Sequence, residues 1–90
     1  MKFKKGDTIV VWDKANNDGN FILRDIGIFR YSKYDIENGY DDHLMIEYKV
    51  VKSLDGRKYR EETIQSICYT CNKVKLLDDK LRDELMIEFL

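Results

Sequence analysis

The chain has 90 residues, of which 43% are apolar and 37% are charged, and its formal net charge is −1. This length supports one domain with a single core, and the composition excludes a disordered tail. The near-neutral charge excludes a global field that would draw the protein to nucleic acid or to an anionic membrane, so binding to either would need a local patch.

Targeting signals and cysteine usage indicate the compartment. No apolar segment approaches the roughly 20 residues that a transmembrane helix requires, and residues 1–7 lack the apolar region of a secretory signal. Two cysteines are too few to cross-link a small secreted domain. We therefore expect a cytoplasmic protein without a membrane partner. Residue types with AT-rich codons outnumber those with GC-rich codons, which favours a low-GC bacterium or one of its phages as the source.

The first predicted elements are two β-strands. Residues 8–13 are a β-branched and aromatic run between a polar turn, residues 4–7, and the turn-forming residues 15–20. Residues 21–31 form a longer extended segment, in which Gly27 indicates a bulge or a sharp bend. We expect Trp12 to lie in the core.

A hairpin is predicted next. Residues 44–51 place Leu44, Ile46, Tyr48 and Val50 on one face of a strand. The Asp55-Gly56 pair then favours a tight turn, after which residues 59–69 return antiparallel. We expect Tyr48 to be a core residue.

The C-terminal residues change period from strand to helix. The apolar residues Val74, Leu77, Leu81, Leu85 and Phe89 recur every three or four positions, which predicts an amphipathic helix over residues 77–89. The pattern leaves open whether residues 73–76 form a last short strand. Three further apolar residues lie off the main stripe, which suggests a homodimer through the helix; they are Leu76, Ile87 and Leu90.

These elements predict a β-rich α+β domain, either a small antiparallel barrel or a curved sheet of four to five strands, with a C-terminal amphipathic helix. The polar turn and first strand, residues 4–12, together with the strand number, resemble the SH3-like small β-barrels. This resemblance implies a module that binds protein, DNA or RNA. It carries no site residue over to this chain.

Catalytic and metal-binding patterns are sparse. Cys68 and Cys71 have the spacing of half a zinc site, which two chains of a dimer would complete, and a redox pair is a further alternative. His43 is the only histidine, and neither a nucleophile motif nor a phosphate-binding loop is present. We therefore expect no enzymatic activity, no cofactor and no metal.

Basic and aromatic residues interleave at two places, 30–34 and 57–60, and both clusters would lie on one rim of a barrel. This pattern suits single-stranded nucleic acid, although acidic residues follow each cluster. Tyrosine and arginine are also the residues that dominate protein interfaces, so a protein partner is the favoured hypothesis. Small size and AT-rich usage suggest a phage or mobile-element protein that inhibits a host factor. The predicted partner-binding residues are Arg30, Tyr31, Lys33, Tyr34, Tyr40, Arg57, Lys58, Tyr59 and Arg60.

Overall fold

The structure is a computed structural model that describes residues 3–14, 20–33, 45–68 and 72–86. These residues form a five-stranded antiparallel sheet and one short C-terminal helix, so the β-rich architecture expected from the sequence is confirmed. The strands are β1 (Thr8–Lys14), β2 (Phe21–Lys33), β3 (Met45–Ser53), β4 (Ile64–Cys68) and β5 (Lys73–Leu76), and the helix α1 spans Asp79–Leu85.

The sheet is open. Its strand order is β4-β3-β2-β1-β5, and every neighbouring pair is antiparallel. The edge strands β4 and β5 do not pair with each other within the described residues, so the sheet is not closed into a barrel. No helix in the described part of the chain has the length and apolar content to cross a membrane.

Both faces of β1 are covered, because its successive side chains point to opposite sides. Ile9 and Val11 belong to the larger of two apolar clusters, whereas Val10 and Trp12 belong to the second. Leu81 of α1 packs in that second cluster, so the helix covers the Trp12 side of the sheet. The predicted core positions of Trp12 and Tyr48 are confirmed.

The β3–β4 pair forms as predicted, but its connection is not a tight two-residue turn. Ile46, Tyr48 and Val50 are fully buried on one face of β3, and Leu44 lies outside the described residues. The chain after β3 forms a 3-10 turn over Lys58–Arg60, and β4 begins only at Ile64. The fourth strand is therefore shorter than the predicted 59–69, because the backbone of residues 58–60 curls into this turn.

Gly27 lies at a bulge, as predicted. The register between β2 and β3 shifts between Ile26 and Gly27. A Cβ at position 27 would overlap the ring of Tyr48 and lie 2.9 Å from the backbone oxygen of Lys49. Glycine is therefore needed here for the close approach of the two strands.

The C-terminal segment contains both a strand and a helix. Residues 73–76 form β5, which settles the alternative that the sequence left open. The side chain of Asp78 caps α1 by accepting a 2.7 Å hydrogen bond from the Leu81 N–H. Met86 then adopts a left-handed conformation, so the helix ends at Leu85 and is shorter than the predicted 77–89. Residues 87–90 lie outside the described residues.

Candidate functional site

A β-bulge in β2 determines which polar side chains enter the interior. Val11 pairs with Asp25 and Trp12 pairs with Leu23, so Arg24 is an extra residue on β2. Trp12 and Leu23 pack on the side covered by α1, whereas Val11 faces the larger cluster. Asp25 therefore points to the face opposite Leu23, although strict strand alternation would place the two on the same face.

Asp25 is a fully buried carboxylate with four hydrogen-bond donors. Its Oδ2 accepts from the Tyr48 hydroxyl at 2.7 Å and from Arg24 Nε at 3.2 Å. Its Oδ1 accepts from Arg60 Nη2 at 2.8 Å and from Arg60 Nε at 3.2 Å. These bonds saturate the carboxylate, as a buried charge requires.

Tyr48 and Arg60 remain a neutral donor and a cation, respectively. Burial raises the pKa of Tyr48 well above its usual value, and the hydrogen bond and negative charge of Asp25 raise it further. For Arg60, burial alone lowers the pKa, but the hydrogen bonds and charges of Asp25 and Asp55 outweigh it and raise the pKa. Both groups therefore keep the same protonation state across the physiological range.

Arg60 joins the buried carboxylate of Asp25 to the carboxylate of Asp55 in the loop after β3. Its side chain is only 5% exposed, and Nη2 lies 2.8 Å from Oδ1 of Asp55 as well as 2.8 Å from Oδ1 of Asp25. Partial burial by itself raises the pKa of Asp55, but hydrogen bonds from Arg60, from the Ser53 hydroxyl and from the Arg57 N–H lower it to about 2. Asp55 is therefore ionised at neutral pH, and its Oδ1 accepts all three of these bonds.

Arg24 links this group to two further strands. Its Nη1 donates to both carboxylate oxygens of Asp13 on β1, at 2.9 and 3.1 Å, and its Nη2 donates to Gln65 on β4 at 3.4 Å. Charged side chains from β1, β2 and the loop after β3 thus meet in one network. We call the Asp25 cluster the six residues Asp13, Arg24, Asp25, Tyr48, Asp55 and Arg60.

The Asp25 cluster fixes the turn Lys58–Arg60 to the sheet. Arg60 is buried, whereas the three residues before it, Arg57, Lys58 and Tyr59, are exposed, Tyr59 by 74%. The structure records no ion pair for Arg57 or Lys58 with any other described residue. Three consecutive side chains are therefore presented to solvent on a turn with a buried anchor.

Arg57 also lines an open groove of about 320 Å³ between the β1–β2 hairpin and the loop after β3. The other lining residues are Asp13, Lys14, Ile22 and Asp55. Ile22 is 55% exposed, so it adds apolar area to the groove. We call the Arg57 surface the exposed set Lys14, Ile22, Arg57, Lys58 and Tyr59.

The structure divides the predicted partner-binding residues. Arg57, Lys58 and Tyr59 lie together on the surface, whereas Arg60 is buried as the anchor of their turn. Arg30 is half exposed, and its Nε lies 3.0 Å from Glu47 Oε1. Tyr31 and Lys33 lie in β2. Tyr34 and Tyr40 lie outside the described residues.

Arg30 of the first basic–aromatic cluster and the turn that carries the second lie toward opposite ends of the sheet, and not on one rim as expected. Ser53 at the end of β3 pairs with Asp25 near the start of β2, and Arg60 returns to that same end. Arg30 is five residues further along β2, which corresponds to about 17 Å at the usual rise per residue. The separation follows from the antiparallel pairing, because the chain leaving β3 emerges beside the beginning of β2.

Sequence reasoning missed Asp25 and Arg24, which organise the site. The signal present in the sequence was a charged pair inside an otherwise apolar run, residues 21–29. Because all four lone-pair positions of Asp25 are occupied and the group is fully buried, the carboxylate has neither the access nor the spare acceptor capacity of a general base. The arrangement rigidifies a surface turn.

The zinc hypothesis involves residues that the structure describes only in part. Cys68 lies in β4, whereas Cys71 and His43 lie outside the described residues. Among the described residues, no three His, Cys, Asp or Glu side chains are grouped to hold a metal ion.

Comparison of the chain with protein-family models, with curated proteins and with solved structures finds no significant match.

Proposed function

We propose that this protein is a non-enzymatic binding module that binds another protein through the Arg57 surface. The observation that supports the proposal is the turn itself: three exposed side chains precede Arg60, which is held by the fully buried Asp25. A turn that is already ordered loses little conformational entropy on binding. The buried cluster thus lowers the cost of forming a complex.

The residues of the Arg57 surface have the chemistry of an interface. Tyrosine and arginine are enriched among residues that dominate binding energy, because they bury a large area and combine apolar with hydrogen-bonding contact. The exposed Tyr59 ring and the Ile22 side chain supply apolar area, and Arg57 supplies donors. A partner that covers this surface would desolvate both kinds of group together.

An affinity capture from a low-GC bacterial lysate tests the proposal when it is combined with matched variants. Wild-type protein is compared with Tyr59→Ala and Arg57→Ala, and the control is Arg30→Ala, which removes an exposed arginine at the opposite end of the sheet. We expect a protein retained by the wild type and the control to be lost with both surface variants. Retention by Tyr59→Ala and Arg57→Ala, with their fold verified by Trp12 fluorescence, would refute the proposal.

The finer expectations on fold family and origin belong to the same proposal. We infer an SH3-like module from a phage or mobile element, acting in the cytoplasm on a host factor. The antiparallel five-stranded order supports the fold, and the small size and AT-rich residue usage support the origin. Expression in a low-GC host is expected to slow growth in the wild type and not in Tyr59→Ala.

Nucleic-acid binding is the competing function, and the Arg57-Lys58-Tyr59 sequence is the observation that favours it. Two findings weigh against it: Arg30 is paired with Glu47, and the two basic clusters do not form a continuous track. Titration with single-stranded and duplex oligonucleotides at two salt concentrations separates the two functions. Strong binding that weakens steeply with salt would favour nucleic acid.

A further inference from the structure

We propose that the Arg57 surface selects an acidic segment of its protein partner, an inference that rests on the proposed function and specifies the partner's chemistry. Charge, hydrogen-bonding capacity and the shape of the groove each support it. These are three separate properties of the same few side chains.

The first support is the local balance of charge. Inside the Asp25 cluster, the arginines Arg24 and Arg60 neutralise two of the three carboxylates. The three cations of the Arg57 surface then outnumber the two carboxylates that remain, one in the cluster and that of Glu61, which accepts from the Ser53 N–H; the cations are Lys14, Arg57 and Lys58. The surface is therefore locally positive although the whole chain carries a net charge of −1.

The second support is the unused hydrogen-bonding capacity. The groove carboxylates Asp13 and Asp55 already accept bonds from arginine: Asp13 from Arg24, and Asp55 from Arg60, with the Ser53 hydroxyl and the Arg57 N–H as further donors. Within the described residues, the Arg57 and Lys58 side chains have no carboxylate partner. A carboxylate from a partner would thus meet available donors, and the planar guanidinium of Arg57 suits it in a bidentate arrangement.

The third support is the shape and apolar content of the groove. A volume of about 320 Å³ accommodates a few side chains of a peptide and not an extended polymer. Ile22 lines the same groove as Lys14 and Arg57, so an apolar side chain next to an acidic one would fit. A nucleic acid needs a longer basic track along its backbone, and this surface has only three outer cations.

Selection from a displayed library of random 12-residue peptides on the immobilised protein tests the inference. We expect recovered peptides to be enriched in Asp and Glu beside an apolar residue. Binding of one recovered peptide is then measured by fluorescence anisotropy at two salt concentrations. We expect Arg57→Glu and Lys14→Glu each to weaken it at least tenfold, and Lys5→Glu, a charge reversal at an exposed lysine outside the groove, to change it less than twofold.

Four outcomes would overturn the inference: no recovered peptide, a pool without acidic enrichment, affinity unchanged by Arg57→Glu, or tighter binding of a 12-nucleotide oligothymidine than of the peptide. The proposed function fails differently. If a captured lysate protein is lost with Tyr59→Ala and Arg57→Ala but binds Lys14→Glu as well as wild type, the surface binds protein and the acidic preference is refuted.

Discussion

Replacement of Arg60 with methionine tests whether the Asp25 cluster holds the 57–59 turn to the sheet. Methionine keeps most of the apolar length of the side chain but removes its two hydrogen bonds to Asp25 and its ion pair with Asp55. Asp25 stays fully buried and keeps only Arg24 and Tyr48 as donors. The variant therefore leaves a buried carboxylate with two of its four hydrogen bonds.

The expected loss of folding free energy follows from the hydrogen bonds that Asp25 keeps. Removing one partner of a buried ion pair costs about 3–5 kcal/mol, and the contact with Arg24 that survives favours the lower end of that range, about 3 kcal/mol. A domain of this size is stable by only about 5–15 kcal/mol. The melting temperature should accordingly fall by roughly 12–24 °C.

Urea denaturation followed by the fluorescence of Trp12, the single tryptophan, measures this cost. Lys58→Met in the same turn is the matched control, because this exposed side chain has no recorded ion pair among the described residues and should change stability by less than about 0.5 kcal/mol. The double variant Asp25→Leu/Arg60→Met removes both charges of this pair and leaves neither one buried without its partner. This double variant should therefore be more stable than Arg60→Met alone. A cost below about 1 kcal/mol for Arg60→Met, or additive effects of the two substitutions, would refute the reasoning.

Three further predictions concern the backbone and pH. Gly27→Ala should destabilise the protein by about 2–3 kcal/mol in the same urea assay, because the added methyl group would overlap the Tyr48 ring. Gly56→Ala is the control: the added methyl group would lie in open space but at a positive φ of 85°, so this variant should cost only about 1 kcal/mol. The pKa of Asp55 is lowered to about 2, so its stabilising contribution is present above about pH 4 and is lost as the pH falls toward 2. This contribution amounts to about 1 kcal/mol after solvent screening, and the acid unfolding of Asp55→Asn should lack it. The pKa of Tyr48 is raised, so the stability of the wild type should fall above about pH 10. Tyr48→Phe should be less stable at neutral pH by about 1–3 kcal/mol, because Asp25 loses the hydrogen bond from the hydroxyl. The same variant should lack the loss of stability at alkaline pH. Equal pH slopes in variant and wild type would contradict either pH prediction.

Local patterns in the sequence predicted much of the fold. Alternation placed Ile46, Tyr48 and Val50 on the buried face of β3, and Gly27 indicated a bulge, because both features depend on a few neighbouring residues. The apolar period of the C-terminal residues predicted the helix, and Asp78 provides its N-cap. The C-terminal limit of the helix was not predicted, because Met86 gives no stop signal of the kind glycine provides.

The candidate site was predicted only in part, because its geometry depends on a bulge and on long-range pairing. Nothing in the residue types at positions 23–25 indicates that Arg24 is the extra residue, yet this bulge turns Asp25 inward. Arg60 resembles its basic neighbours in sequence, and only the position of Asp25, 35 residues earlier, makes it an anchor and not a surface cation. Exposed Arg57, Lys58 and Tyr59 were found because a basic–aromatic run after a turn is a local signal.

The most direct test of the account is an NMR measurement of backbone order in residues 57–63 of the unbound protein. The account predicts backbone amide order parameters of about 0.85, as in the strands, because the buried Arg60–Asp25 contact fixes the turn before any partner binds. The same amides should become more mobile in Arg60→Met. Order parameters below about 0.6 in the wild type would contradict the claim that the 57–59 side chains are held ready for binding.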